Sequence, residues 1–304
     1  MPYRIAGLGY VEMRSLDLER DVDYYTNVLG LRLQSNEREK VYLKGWDEKH
    51  AYSLILGQSD RAGMVRLAFR VVDGEDLDYY ERRLEEFGVA TEVISEDFKR
   101  GRALRFQAPC GHTVELYYDM EYTGGMLPEV NPDPWPFGLT GIAPPRIDHT
   151  LVTAADPTRA IKFFEEVLEF RASEYVVNKS GDPIAGFLRQ RPAPHDIAII
   201  PGRDGGMHHV AFVVESSDAI FRAADILSMN KVKIDYGPGR HGITRGTTIY
   251  FFDPSGNRLE TFGNYSGYQP EPDFRPIRWT EDQLGTGIFY YERVLTESFL
   301  SVYT

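Results

Sequence analysis

The stretch MHHVAFVV (residues 207–214) decides the fold of this chain, because an earlier stretch, MVRLAFRV (64–71), repeats its apolar pattern. Each stretch predicts a strand, and each is followed by an amphipathic helical pattern with acidic residues. The two helical patterns occupy residues 74–88 and 216–230. Such self-similarity indicates that one structural unit is used more than once along the chain.

The repeat extends on both sides of these strands. Upstream, LGYVEM (8–13) corresponds to IDHTLV (147–152) at an offset of 139, and a helical pattern follows each of them. Downstream, LRFQAPCGHTVELYY (104–118) corresponds to IYFFDPSGNRLETFG (249–263). The PCG and PSG turns lie at equivalent places between two apolar strands, which predicts a β-hairpin in each half.

Each half therefore contains the same unit twice, a strand followed by a helix and three strands. We predict an α+β fold of tandem βαβββ modules, in which each of two module pairs forms a barrel-like cup with paired edges. A helix is predicted over QLGTGIFYYERVLTESFL (283–300), where it should cover one end of the second domain. The expected divisions are an N-terminal domain without a metal (1–125), a Pro-rich linker (126–145), a C-terminal metal-binding catalytic domain (146–265) and a terminal loop and helix (266–304).

Composition narrows the possible functions. The chain has 304 residues, a hydrophobic fraction of 42% and a net charge of −12. These values suit two domains with substantial cores and argue against a nucleic-acid partner, which usually requires a basic patch. The single cysteine, Cys110, excludes a disulfide within the chain. The first residues lack an apolar signal region, and no stretch reaches the roughly 18 apolar residues of a membrane span, so we expect a soluble cytoplasmic protein.

Three polar residues on apolar predicted strands are candidate metal ligands. They are His149 in RIDHTLV, His209 in MHHVAFVV and Glu260 in NRLETF. Two imidazoles and one carboxylate are the facial triad of non-haem Fe(II) oxygenases, which leaves the opposite face of the metal open for substrate and O2. A histidine on a strand is nevertheless more often a core or surface residue than a ligand, and the spacing of the three residues is not diagnostic.

The internal repeat favours the metal-site interpretation. The equivalent residues of the first half are Tyr10, Arg66 and Glu115, and the first two lack the chemistry of metal ligands. The fold position therefore does not require histidine, and we predict one metal site in the second half only. His208 competes with His209 as the second ligand, because alternation along a strand directs them to opposite faces. The repeat does not choose between them.

Three further residues, His195, His241 and Tyr250, could supply acid–base chemistry beside a metal. A histidine, with a pKa of about 6.5, can carry a proton near neutral pH. For His195 and His241 the alternative is a solvated loop residue, and for Tyr250 it is an aromatic residue of a strand in the core.

The motifs around these residues resemble those of the catechol 2,3-dioxygenases, type I extradiol dioxygenases of the vicinal oxygen chelate superfamily. The resemblance covers essentially the whole chain and rests on RIDHTLV, MHHVAFVV, GPGRHGITRGTTIYFFDPSGNRLETF (237–262) and the tail WTEDQLGTGIFYYERVLTESFL (279–300). It implies that Fe(II), or Mn(II), binds and that O2 opens catechol or an alkylcatechol between C2 and C3. The implied product is a 2-hydroxymuconate semialdehyde of aromatic degradation, and the implied assembly is a homotetramer.

The resemblance also implies roles for single residues. It makes His209, not His208, the second ligand. Tyr236 is close to the site in sequence, at a point where related enzymes for acidic catechols use arginine, and a tyrosine there favours catechol or alkylcatechols. The implied metal ligands are His149, His209 and Glu260, and the implied catalytic residues are His195, His241 and Tyr250.

Two alternative functions stay open. One is a metal-free small-molecule binding protein of the same superfamily, which would not need three ligands or histidines at positions 195 and 241. The other is a metal enzyme of glyoxalase-type isomerisation, which would normally draw its ligands from two module pairs. Here the candidate ligands all fall in one half of the chain.

Overall fold

Two β-sheets, one from each half of the chain, form the framework of the computed structural model, which describes residues 3–37, 39–263 and 268–304. The strands of the first half are β1 (Ile5–Ser15), β2 (Arg32–Asn36), β3 (Lys40–Lys44), β4 (Leu54–Gln58), β5 (Gly63–Val71), β6 (Thr91–Ile94), β7 (Ala103–Gln107) and β8 (Thr113–Tyr117). Its helices are α1 (Leu18–Asp23), which continues into a π-helical turn (Tyr24–Val28), and α2 (Glu75–Glu86). The order in the sheet is β2-β3-β4-β1-β5-β8-β7-β6.

The second half repeats this plan and adds a terminal segment. Its strands are β9 (Arg146–Ala154), β10 (Arg171–Val177), β11 (Pro183–Arg189), β12 (Ile197–Pro201), β13 (Met207–Val214), β14 (Ile234–Arg240), β15 (Thr247–Phe252), β16 (Arg258–Gly263) and β17 (Ile277–Thr280). Its helices are α3 (Pro157–Glu166), α4 (Ser217–Met229), α5 (Leu284–Ile288), preceded by a 3-10 turn (Glu281–Gln283), and α6 (Glu297–Ser301). The order in the sheet is β14-β15-β16-β13-β9-β12-β11-β10-β17.

The predicted fold class is confirmed, since each half contains two βαβββ modules and each sheet curls into a cup. The modules of the first half meet where β1 and β5 pair antiparallel, and those of the second half meet where β9 and β13 pair antiparallel. The strand register explains why the corresponding positions of the repeat lie close together in space. Ala68 on β5 is the partner of both Tyr10 on β1 and Glu115 on β8, so these positions lie side by side.

Helix α3 shows how the apolar periodicity positions a module. Asp156 caps its N-terminus by accepting a hydrogen bond from the Arg159 amide, and Pro157 fits the first helical position, which needs no N–H. The apolar face of the helix packs on β11, where Ile161 approaches Gly186 so closely that a Cβ there would lie 2.9 Å from its side chain. The glycine in β11 is therefore required by close packing.

The single helix predicted over residues 283–300 is wrong. The structure has two short helices, α5 and α6, separated by residues 289–296. Gly285 and Gly287 weaken the helix, and the chain folds back there, since a Cβ on Gly285 would lie 2.1 Å from the Arg293 carbonyl oxygen. The preceding Pro-rich segment contains β17, which pairs parallel with β10 and was not predicted. Residues 264–267, at the predicted boundary of the terminal segment, lie outside the described residues.

The region between the two halves, residues 126–145, contains neither helix nor strand. The first and second halves nevertheless contribute to one cluster of buried apolar side chains. The hydrophobic core is therefore continuous from one half to the other. Among the described residues, no helix combines the length and apolarity that crossing a bilayer would demand.

Candidate metal centre

The three candidate ligands lie on three adjacent strands in the middle of the second sheet. His149 is on β9, His209 on β13 and Glu260 on β16, and the strand order there is β16-β13-β9. Ala211 on the central strand is the register partner of both His149 and Glu260. The pairing of these strands thus brings together side chains that are 111 positions apart in the chain.

The ligand atoms of these residues converge on one point. The Oε2 atom of Glu260 lies 3.1 Å from His149 Nε2 and 3.0 Å from His209 Nε2, and the two nitrogens are 3.4 Å apart. All three side chains are buried, with 2% or less of their surface exposed. Among the described residues, these three form the group of His, Cys, Asp or Glu side chains whose ligand atoms lie close enough together to hold a metal ion. Two imidazoles and a carboxylate suit a divalent iron or manganese ion, so the residues fit the implied metal.

The residues behind the ligands orient them. The Nδ1 atom of His149 is 2.8 Å from Asp148 Oδ2, and the carboxylate accepts its proton so that Nε2 is free to bind a metal. Glu260 Oε1 accepts a 2.5 Å hydrogen bond from Thr248 Oγ1. Burial alone would raise the pKa of Asp148, but the Arg191 guanidinium and His149 hold it well below its ordinary value. Asp148 therefore remains charged behind the ligand.

The protonation of the two histidines differs. Burial lowers the pKa of His209 to about 4, so its ring is neutral. Burial also acts against a charge on His149, but hydrogen bonds from its ring to Asp148 and Glu260 raise its pKa to about 9. A metal ion would replace this proton, because a ligand imidazole must offer its lone pair.

His208 and His209 are both buried but have different partners. His209 Nε2 faces Glu260, whereas the His208 ring points away and its Nε2 lies 2.9 Å from the carbonyl oxygen of Phe299. The strand pairing is irregular between Met207 and His209, so simple alternation does not describe this place. The structure thus groups His209, and not His208, with the other two candidate ligands.

His195 lies against the candidate ligands. Its ring centroid is 3.9 Å from that of His149, and only 4% of the residue is exposed, so the alternative of a solvated loop residue is wrong. Burial and the nearby His149 lower the pKa of His195 well below 6.5. The Nδ1 atom of this ring is buried and has no hydrogen-bond partner among the described residues.

His241 and Tyr250 form a hydrogen-bonded pair on the other side of Glu260. His241 Nδ1 donates to the carbonyl oxygen of Ile288 at 2.5 Å, so His241 Nε2 accepts from the Tyr250 hydroxyl at 3.0 Å. Both residues are buried, so His241 is not a solvated loop residue either. Burial and the charge of Glu260 raise the pKa of Tyr250 well above its ordinary value, which keeps the hydroxyl protonated.

A cavity of about 340 Å³ opens onto all six of these side chains. Tyr236 is not among the residues that line it, although its ring lies 6.4 Å from that of Tyr250. Its hydroxyl donates to Glu292 at 2.5 Å, and its ring stacks on Phe289 at 3.5 Å. Apart from the candidate site residues, the wall is almost entirely apolar, and consists of Leu151, Val176, Ile184, Ala185, Phe187, Ile200, Pro201, Ile243, Thr244, Phe262, Leu284, Ile288, Leu295, Phe299, Leu300 and Tyr303.

Sequence reasoning missed the residues that fix this wall. Glu174 on β10 is buried and accepts hydrogen bonds from the Thr244 amide at 2.6 Å and from Trp279 Nε1 at 2.6 Å. It therefore ties the loop after His241 to the terminal strand β17. A glutamate within the apolar run RASEYVV was the available signal, because a buried carboxylate requires hydrogen-bond donors.

The equivalent place in the first half is filled by ion pairs. Arg66, at the position of His209, lies 2.7 Å from Glu12, and Arg105 lies 2.7 Å from Glu115. The Tyr10 hydroxyl donates to Glu115 at 2.5 Å. Arginine side chains thus neutralise the buried carboxylate that a metal would neutralise in the second half.

Comparison with known proteins places this site in context. Residues 146–261 match the model of the Glyoxalase/Bleomycin resistance protein/Dioxygenase superfamily, and residues 64–121 match that of the Catechol 2,3-dioxygenase-like N-terminal domain. The chain is 42% identical to the metapyrocatechase of Pseudomonas sp. (strain CF600), over 97% of each sequence. It is 31% identical to the manganese-dependent 2,3-dihydroxybiphenyl 1,2-dioxygenase of Geobacillus genomosp. 3, over 96% of this chain and 95% of the relative.

A solved structure shares the architecture throughout. It is that of the 2,3-dioxygenase LapB from Pseudomonas sp. KL28, with a TM-score of 0.88 and 39% identity. The match covers 93% of this chain and 99% of the other. The similarity therefore includes both halves and the connection between them.

Proposed function

The chain belongs to the family of metapyrocatechases and related extradiol dioxygenases, and we propose that it opens the ring of catechol or an alkylcatechol between C2 and C3. The product is then a 2-hydroxymuconate-type semialdehyde. One observation carries the proposal: a buried group of two histidines and one glutamate faces an apolar cavity large enough for a small aromatic ring. A metal-free binding protein would have no use for this convergence of donor atoms.

His149, His209 and Glu260 would hold the metal. When bound, Fe(II) lowers the pKa of a coordinated phenol and provides the redox centre at which O2 reacts. An iron-dependent extradiol dioxygenase of Rhodococcus jostii and the manganese-dependent Geobacillus enzyme are both relatives of this chain, so the ligand set is compatible with either ion. The charge of Glu260 offsets part of the charge of a divalent ion in the buried site.

His195 would act as the acid–base residue. It is neutral, it lies beside His149 and it lines the cavity. A neutral imidazole can accept a proton from a substrate hydroxyl and later return it to the opened product. The apolar wall keeps water from competing for that proton.

His241 and Tyr250 would orient the diol. The Ile288 carbonyl fixes the tautomer of His241, and His241 in turn holds the Tyr250 hydroxyl at 3.0 Å. Because the pKa of Tyr250 is raised, its hydroxyl keeps its single proton, which would turn from His241 Nε2 to a catecholate oxygen when the diol binds. Both residues are thus fixed before the substrate arrives.

The cavity wall supports a neutral ring substituent. No arginine or lysine is among the described residues that line it. A carboxylate on the ring would be buried without a cation, which costs several kcal/mol, whereas an alkyl group would fit the leucine and isoleucine side chains. Catechol and alkylcatechols are therefore the proposed substrates.

We also propose the remaining assignments of the sequence. The protein would be a cytoplasmic homotetramer without a nucleic-acid or membrane partner, in keeping with its net charge of −12. Residues 1–125 would form a metal-free domain and residues 146–265 the catalytic domain, and the ion pairs around Glu115 support the first of these. Light scattering on the purified protein tests the assembly.

The activity is tested by loading the protein with Fe(II) without oxygen and then adding catechol and O2. A yellow product that forms only with the metal present is the expected result. Metal-stripped protein with the same substrate is the control. Binding of catechol, 3-alkylcatechols and 4-alkylcatechols without any yellow product would contradict the proposal and favour a binding protein.

A further inference from the structure

The last ten residues of the chain, here called the C-terminal strap (295–304), lie across the cavity beside His209. Leu295, Phe299, Leu300 and Tyr303 of the strap line the cavity wall. The end of the strap pairs with β13 next to the candidate ligand, since Thr304 and Met207 exchange backbone hydrogen bonds of 2.7 and 3.1 Å. The strap thus forms part of the site that the proposed substrate would occupy.

Arg258 anchors the strap from beneath. This side chain is 1% exposed, and it donates to the carbonyl oxygens of Val302 at 2.8 Å and Ser298 at 2.9 Å. Its charge is balanced by Asp235, which also accepts a 2.8 Å hydrogen bond from the Ser298 hydroxyl. These contacts hold the strap without involving the metal ligands.

His208 provides a second kind of contact, because it touches both the strap and a metal ligand. Its Nδ1 is 2.7 Å from Nδ1 of His209, and its Nε2 is 2.9 Å from the carbonyl oxygen of Phe299. The ring also packs edge-on against the Phe299 ring, with centroids 4.5 Å apart. Only 1% of His208 is exposed, so these contacts are shielded from bulk solvent.

The chemistry of imidazole allows one arrangement of protons along this chain. If His209 binds the metal through Nε2, its neutral ring carries the proton on Nδ1 and must donate it. His208 Nδ1 must then accept, which leaves the proton of His208 on Nε2. That N–H points at the Phe299 carbonyl, an acceptor. Every donor therefore meets an acceptor once the metal is bound.

We propose that His208 is a positioning residue that couples the C-terminal strap to the metal ligand His209. The proposal rests on the proposed function, because it needs Nε2 of His209 as the ligand atom. A metal ion favours the Nδ1–H tautomer of His209 and so completes the chain to the strap. Coupling of this kind is reciprocal, so ordering the strap also strengthens metal binding.

The first test uses the unmodified protein. Hydrogen exchange of the strap amides is followed in metal-free protein and in protein saturated with Mn(II), which is stable in air. We expect slower exchange at residues 299–304 when Mn(II) is bound. Equal exchange in the two states would overturn the proposal, because the metal would then not reach the strap.

The second test replaces His208. The variant His208→Phe keeps the ring packed on Phe299 but leaves the His209 Nδ1–H without an acceptor. Loss of a partner behind a metal ligand typically weakens metal binding about 10- to 100-fold, and the variant should also lose the Mn(II)-dependent protection of the strap. His208→Gln, whose amide can accept on one side and donate on the other, should recover most of both effects and also covers the case that His208→Phe does not fold.

Ser298→Ala serves as the matched control, because it removes the strap contact to Asp235 without touching His208. It should lower Mn(II) affinity less than His208→Phe does, because it loosens the strap but keeps the contact between His208 and His209. Unchanged affinity in His208→Phe, or an equal loss in Ser298→Ala, would overturn the proposal. The ligand assignment is judged separately: if His149→Ala keeps the Mn(II) affinity of the unmodified protein, the proposed function fails, whereas loss in His149→Ala with none in His208→Phe refutes the coupling alone.

Discussion

Glu260 carries the single negative charge among the three proposed ligands, and both of its oxygens are engaged. Oε2 faces the two histidine nitrogens, and Oε1 accepts from Thr248. At the scale of the residue, the negative charge of Glu260 therefore matters more for metal binding than the shape of its side chain. The corresponding glutamate of the first half, Glu115, pairs with arginines instead.

Glu260→Gln is therefore expected to abolish stoichiometric metal binding while the protein stays folded. The amide keeps the size of the side chain but removes the charge that offsets a divalent ion in a buried site. Metal content measured by plasma emission after dialysis is the readout, with Thr248→Val as the control that alters only the hydrogen bond to Oε1. Normal metal content in both Glu260→Gln and His149→Ala would refute the ligand set.

Replacement of His195 should lower the turnover rate without changing the metal content of the protein. His195 contacts the ring of His149 but points no nitrogen at Glu260, and its pKa is held low by burial. His195→Ala is expected to keep the metal and to lower kcat by about 100-fold or more, the range of acid–base catalysis. Metal analysis and steady-state rates on the same preparation check this. A variant that turns over normally would remove His195 from the mechanism.

The candidate ligands could be found from the sequence because the repeat offers an internal comparison. Tyr10 and Arg66 show that the fold tolerates other side chains where His149 and His209 stand. The choice between His208 and His209 did not follow from strand alternation, since an irregularity in the pairing falls between Met207 and His209. That choice came from the family resemblance, and the roles of these residues stay predictions.

At the scale of the element, the plan of the repeated modules followed from the internal repeat and the apolar periodicity, and the terminal segment did not. Its apolar residues are spaced as in a helix, but those that line the cavity come from two short helices and the chain between and after them, and not from one helical face. Gly285 permits the chain to turn back on Arg293. Tertiary contacts override local propensity here, and a sequence pattern cannot reveal them.

Gly285→Ala is expected to loosen the terminal segment. A Cβ there would lie 2.1 Å from the Arg293 carbonyl oxygen, which is backbone and cannot move aside as a side chain could. We expect a cost of about 1–3 kcal/mol, the usual range for overpacking, with faster proteolysis of the segment and a lower Tm. Gly57→Ala is the control, since its Cβ would meet only ordinary contacts. Equal behaviour of the two variants would contradict the role of the glycine.

At the scale of the whole molecule, the turn between β15 and β16 joins the two halves. Asn257 accepts from the Gly63 amide at 2.8 Å and donates to the Arg14 carbonyl oxygen at 3.0 Å. Asp253 accepts from the Tyr25 hydroxyl at 2.9 Å. The PSG turn was predicted as part of a hairpin, but its second role in joining the halves was not, because the contacts arise only after both cups are formed.

This junction gives the protein a pH dependence of stability. Burial, followed by the neighbouring charge of Asp21, raises the pKa of Asp253 from 3.8 to about 7. The folded protein therefore keeps a proton on this carboxyl that the unfolded chain has already lost. The contribution of this proton to the free energy of unfolding is fully present below about pH 4 and is lost as the pH rises through about 7.

We accordingly expect the unfolding free energy of the unmodified protein, relative to that of Asp253→Asn, to fall between pH 5 and pH 8. The asparagine cannot ionise, so its effect on the unfolding free energy does not change with pH. The difference in unfolding free energy between the two proteins should therefore fall by up to about 1.4 kcal/mol per pH unit. Denaturant unfolding of both proteins at saturating Mn(II) checks this, because the pH dependence of metal binding cancels in the difference. Asp273→Asn, at an exposed site, should show no such trend. A difference that is flat with pH would mean that the pKa of Asp253 is not raised at the junction and that its carboxylate is ionised there throughout this range.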